Sequence, residues 1–155
     1  MTIRLSTKLR TNLAGSTGFS TTFEKGVIDI YTGSQPASAD AEPTGTKLGR
    51  VTIASGAFTA GNVTNGLTFA AAADGVASKT GVWSFNGLAA GTAGWFRFKT
   101  NTGADTDTDD SATKAQARMD GSIAISGGDM NLSNLVIAVS APTTIDSFTA
   151  TMPGA

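Results

Sequence analysis

Apolar and polar residues alternate along most of this chain at the two-residue period of half-buried strands, and glycine- and proline-containing turns interrupt the runs. The first 26 residues follow another pattern. Ser6 stands where a helix N-cap would, ahead of Leu9 and Leu13 at i, i+4 spacing, with Gly15 as a stop. This predicts a short helix. Phe19 and Phe23 repeat the spacing and predict a second turn ending at Gly26. The four apolar residues need a surface to pack on, either the domain's own sheet or a neighbouring subunit.

Val27–Thr32 (VIDIYT) predicts the first strand, ending at Gly33. Residues 34–43, with Pro36 and Pro43, predict a loop. Residues 47–54 predict a second strand, with Val51 and Ile53 alternating against Arg50 and Thr52. Weaker strand signals lie at 67–70 and after an Asp74–Gly75 turn. Stronger ones lie at 82–86 (VWSFN) and 94–100 (GWFRFKT), whose separation by 87–93 reads as a hairpin with a long loop.

In the latter segment Phe96 and Phe98 fall on one face, and Trp95, Arg97 and Lys99 on the other. Trp95 beside two cations reads either as self-packing or as a subunit contact. Four further segments read as strands, at 118–126, 130–132, 135–140 and 143–152, with Asp120–Gly121 as a turn or bulge ahead of Ile123. In the last of them Phe148, Ala150 and Met152 share a face opposite Ile145, Ser147, Thr149 and Thr151. The expected fold is all-β, a β-sandwich or jelly-roll-like domain over residues 27–155. Residues 1–26 form a short helical or extended N-terminal segment that could serve as a docking arm.

Composition narrows the function. The chain has 155 residues, enough for one core, and only 15% are charged, against roughly 25% in soluble domains generally. A surface poor in charge packs against neighbours at low desolvation cost. The net charge of −1 gives no long-range field for nucleic acid or an anionic membrane. Arg4, Lys8 and Arg10 make the N-terminus basic, which reads as a solvated end or as an arm for an acidic partner surface. No apolar h-region follows them, and no apolar run reaches membrane-spanning length.

With no histidine and no cysteine, the chain lacks the commonest general base, the usual zinc ligands and every Ser-His or Cys-His nucleophile pair. The only glutamates, Glu24 and Glu42, lie outside the predicted sheet, and no phosphate-binding glycine motif occurs. No catalytic residue, cofactor or enzyme activity is expected. One acidic constellation, Asp105, Asp107, Asp109 and Asp110, resembles the opening of an EF-hand loop. Asp110 replaces the turn glycine and Gln116 occupies the twelfth position, so a solvated, self-repelling loop is the favoured reading over a looser cation site. The interleaving of aromatics and cations at 95–99 is an incomplete signal for nucleic-acid stacking, because alternation sends the two phenylalanines to the core face.

Several blocks in order resemble a family of small proteins encoded among the virion structural genes of tailed bacteriophages. They are IDIYTGSQPASAD at 28–40, TGT at 44–46, VTI at 51–53, GWFRF at 94–98, RMDGSI at 118–123, MNLS at 130–133 and TIDSFTATM at 144–152. The resemblance spans residues 5–153. It implies a virion structural protein on the capsid surface, made in the host cytoplasm: a head decoration (cement) protein that binds the major capsid protein, commonly as a small homo-oligomer. Leu9, Leu13, Phe19, Phe23 and Trp95 are the expected partner contacts. A tail, connector or fibre-associated protein is the neighbouring alternative. A carbohydrate or host-surface binding module is the alternative of another class, and would expose Trp83, Trp95 or Tyr31 in a concave site.

Overall fold

A computed structural model describes residues 3–102 and 108–152. It contains short helices α1 (Thr7–Ala14) and α2 (Phe19–Phe23) and twelve strands. These are β1 (Arg4–Leu5), β2 (Val27–Thr32), β3 (Lys47–Ile53), β4 (Thr68–Phe69), β5 (Val76–Thr80), β6 (Trp83–Asn86), β7 (Gly91–Lys99), β8 (Arg118–Ala124), β9 (Met130–Asn131), β10 (Val136–Ile137), β11 (Pro142–Ile145) and β12 (Thr149–Thr151). The large sheet runs β1-β8-β7-β2-β3-β6-β11, with β9 and β10 paired to β8 and β7; the small one runs β12-β5-β4. All pairings are antiparallel except β8 with β9. The molecule is the expected all-β, sandwich-like domain.

Register explains the core. Ile28 and Ile30 of β2 stand opposite Phe98 and Phe96 of β7, and Val51 lies opposite Ile28. This face packs against the helices and the small sheet in one hydrophobic cluster. Phe23 stacks on Phe98 at 4.3 Å between centroids, and Phe69 and Phe148 each sit 5.4 Å from Trp83. Each buried aromatic contributes roughly 1.5–3 kcal/mol through the area it removes from water. At Gly49 the strands can close only without a side chain, since a Cβ there would lie 2.1 Å from the Phe85 ring.

The N-terminal segment belongs to this core. The Ser6 hydroxyl caps α1 by accepting from the Leu9 amide at 3.2 Å, and β1 pairs with β8. Leu9, Phe19 and Phe23 are buried against the same cluster as the strands, so residues before 27 complete the domain's packing. The Asp74–Gly75 turn is also as expected: both residues have positive φ (50° and 76°), and Ala73 and Val76 exchange both backbone hydrogen bonds.

Three local expectations are corrected. β6 and β7 do not form a hairpin, because β2 and β3 lie between them. The connection crosses the ends of those strands, held by Leu88 N–H donating to Leu48 O at 2.8 Å. Asp120–Gly121 is no turn; it lies in regular register within β8, where Gly121 makes room for the Phe96 ring. The single strand expected at 143–152 is two. β11 pairs with β6 in the large sheet and β12 with β5 in the small one, so residues 146–148 carry the chain across and both Ile145 and Phe148 turn inward. No helix among the described residues is long and apolar enough to cross a membrane.

Candidate functional site

The face of the large sheet opposite the core is a layer of charge. Alternation places Asp29, Arg50, Arg97, Lys99, Asp120 and Arg118 on it, and cross-strand register sets Asp29 beside both Arg50 and Arg97. The Arg50 guanidinium donates to both Asp29 oxygens at 2.7 and 2.8 Å. Lys99 and Lys47 reach the same carboxylate at 2.8 and 3.0 Å. Next to this group, Arg97 donates to both oxygens of Asp120 at 2.7 Å and to Ala41 O at 2.9 Å. Asp29, Arg97, Lys99, Arg118 and Asp120 are all buried.

Burial alone would raise the Asp29 carboxyl, but the Arg50 hydrogen bonds and the charges of Lys99, Arg50 and Lys47 hold it well below the usual carboxylate range. For Asp120, desolvation prevails and pushes the carboxyl upward against the pull of Arg97. The loop between β2 and β3 covers this layer. Arg4 donates to the carbonyls of Gln35 and Pro36, Trp95 Nε1 donates to Thr44 O at 3.2 Å, and Tyr31 stacks on Trp95 at 4.6 Å. Asp40 accepts from the Thr7 amide at 3.0 Å, tying the loop to the start of α1.

The expected partner contacts are therefore corrected. Leu9, Phe23 and Trp95 are fully enclosed by the chain itself, and Phe19 nearly so. The face carrying Trp95 and the two cations is covered by a loop, which alternation alone does not reveal. Only half-buried Leu13, with one side of Phe19, reaches an opening: an apolar groove of about 400 Å³ between β1, α1 and β12, with Ile3 and Met152 partly exposed at its lip. Tyr31, Trp83 and Trp95 are likewise buried, so none offers the flat exposed face that a sugar-binding platform needs.

Asp105 and Asp107 lie outside the described residues. Asp109 accepts from the Ser111 amide at 2.7 Å, and Asp110 accepts from the Thr113 hydroxyl and the Gln116 amide. Hydrogen bonds from Ser111 draw the Asp109 carboxyl below its ordinary value. Burial would raise Asp110, but its bonds from Thr113, Gln116 and Ala115 lower it too. Both carboxylates thus act as local loop ties, and no group of three or more acidic residues able to hold a metal occurs among the described residues.

Two surface features remain. Leu88, Val136 and Val139 are 63%, 65% and 61% exposed. Leu88 and Val139 sit on neighbouring loops tied by Gly87 N–H to Ala141 O at 3.0 Å and Ser140 N–H to Gly87 O at 2.7 Å, and Val136 lies in the short edge strand β10. Beside Leu88 opens a hollow of about 420 Å³ walled by Lys47, Arg50, Thr52, Ser55, Gly56, Phe58 and Asn86. Neither was anticipated from sequence. The legible signal for the charged layer was the pair of ionic residues at alternate positions in β7 (Arg97, Lys99) and in β8 (Arg118, Asp120), with Asp29 alone among the apolar residues of β2. Compared with protein-family models, curated proteins and solved structures, the chain matches none.

Proposed function

We propose that this chain is a structural protein of a tailed-phage virion, foremost a capsid decoration (cement) protein that stabilises the head by binding between major capsid subunits. The observation that carries the reading is the apolar rim of Leu88, Val136 and Val139, held well out of the fold on two hydrogen-bonded loops and the edge strand β10. Apolar side chains fixed in solvent on a rigid support suit a protein contact, since docking recovers their burial without ordering the loops anew. The sequence resemblance supplies the virion setting. The body suits a load-bearing part: ion pairs tie β2, β3, β7 and β8 across one face, and aromatics from helices and both sheets interlock on the other.

The test is cryo-electron microscopy of purified particles with this chain traced, together with co-sedimentation of the isolated protein with capsids. The Leu88→Asp/Val139→Asp double variant should stay folded and lose capsid binding. Finding the chain only in tails moves it to the tail, connector or fibre reading, and finding it absent from virions overturns both.

A further inference from the structure

The hollow beside β3 has two cationic walls, Lys47 and Arg50, and among the described residues none that lines it is acidic. Asp29 lies behind these walls, fully buried, so its carboxylate faces inward. Both cations are held in place. Arg50 is bidentate on Asp29 and lies over the Phe58 ring at 5.5 Å, whereas Lys47 is anchored to Asp29 at 3.0 Å. Their side chains nevertheless remain 18% and 26% exposed. The remaining wall is a tight turn at 53–56, with Ala54 and Ser55 both left-handed at φ 52° and 54°. The Ser55 hydroxyl meets Ser84 Oγ at 2.8 Å, and the Thr52 hydroxyl donates to Gly56 O at 2.8 Å. Leu88 forms an apolar lip that joins the hollow to the exposed rim.

We infer that the hollow receives an acidic side chain of a partner protein, a Glu or Asp whose apolar neighbour rests on Leu88. A carboxylate entering there meets cations whose rotamers are already fixed, so it forms charge-assisted hydrogen bonds at little ordering cost. The partly enclosed walls screen that attraction less than open water would. The apolar lip favours a peptide segment over a bare anion. This inference rests on the proposed function only for the identity of the partner, the major capsid protein; the recognition chemistry stands on the hollow itself.

The test titrates the full-length, 15N-labelled protein with acetyl-Leu-Glu-Glu-Leu-amide, acetyl-Leu-Gln-Gln-Leu-amide and sodium sulfate, followed by NMR. The glutamate peptide should shift the amides of Lys47, Arg50, Phe58 and Asn86, with weaker binding as salt rises; the glutamine peptide should not. Lys47→Met should weaken glutamate-peptide binding about tenfold, the scale of losing one close charge pair. Leu88→Ser, which leaves Asp29 and its partners untouched, should weaken it too. Equal response to both peptides, shifts confined to other surfaces, or sulfate binding as tightly as the glutamate peptide each overturn the inference. A chain absent from virions whose hollow still takes the glutamate peptide overturns the virion reading alone. A capsid-bound chain whose hollow ignores that peptide overturns this inference alone.

Discussion

Replacing Asp29 by asparagine keeps the side chain's shape and removes the carboxylate that Lys47, Arg50 and Lys99 share. The consequence depends on how far each cation can reach water. Lys47 and Arg50 have side chains 26% and 18% exposed and can turn toward water, but Lys99 is only 6% exposed and cannot. Removing one partner of a buried ion pair costs about 3–5 kcal/mol, because the remaining charge stays desolvated. Against a total stability of about 5–15 kcal/mol, this is a large share. At about 2–4 °C per kcal/mol for a chain of this size, the melting temperature should fall on the order of 10 °C.

Urea unfolding of wild type and Asp29→Asn at pH 7 reads the difference directly, with an unchanged m-value showing that the folded state is intact. The pH dependence supplies a second check. The folded Asp29 carboxyl lies below its unfolded value, so its contribution is complete above the ordinary carboxylate pKa of about 3.9. It is lost as pH falls through the folded pKa. The gap between wild type and variant should therefore stay constant from pH 7 to about 5 and narrow in stronger acid. Asp120 works in the opposite sense: its raised folded pKa favours the fold below the unfolded value and withdraws that support as pH rises through the folded one. Since Asp120 is present in both proteins, it cancels from the gap. A loss below about 1 kcal/mol, the scale of an exposed pair, or a gap that fails to narrow in acid, refutes the reasoning.

Phe98→Ala empties the centre of the aromatic cluster formed with Phe23, Phe69 and Phe148, and should cost about 3–5 kcal/mol by urea unfolding. Gly49→Ala drives a Cβ into the Phe85 ring and should cost about 1–3 kcal/mol; adding Phe85→Leu should recover part of that, as a double-mutant cycle would reveal. Ala54→Gly relieves a left-handed alanine and should raise stability by up to about 1 kcal/mol, read as a higher urea midpoint at constant m.

Much of this architecture was legible because strand alternation is a local signal. It located β2, β3, β7 and β8 to within two residues at each end, except that β7 begins at Gly91, three before the predicted start. The Ser6 cap and the Phe19–Phe23 spacing likewise announced both helices. What failed was non-local. The spacing of β6 and β7 suggested a hairpin, but pairing follows the best-matched edge, and Trp83 of β6 finds Ile53 of β3. Alternation also correctly separated Phe96 and Phe98 from Trp95, Arg97 and Lys99. It could not say whether the second face is wet. That depends on where residues 34–46 fold, and once they cover the sheet, Trp95 becomes interior and its neighbours become ion pairs. The cationic hollow escaped notice for the same reason: Lys47, Arg50, Phe58 and Asn86 converge only through the β2-β3-β6 order.

The covered face changes what the low charge content means. Of the 23 charged residues (11 Lys and Arg, 12 Asp and Glu), at least seven are buried: Asp29, Asp40, Arg97, Lys99, Asp110, Arg118 and Asp120. The outer surface is thus poorer in charge than the sequence alone suggests. Such a surface loses little hydration on contact, yet with a net charge near zero it has weak electrostatic repulsion to keep copies apart. Specificity then has to come from the few charges left facing outward in fixed positions. Lys47 and Arg50 meet that description, because the buried Asp29 that anchors them also fixes where they stand. The same carboxylate therefore links stability to recognition: Asp29→Asn should loosen both cations and weaken glutamate-peptide binding as well as the fold. Full binding at a temperature where the variant remains folded would separate the two roles and refute the link.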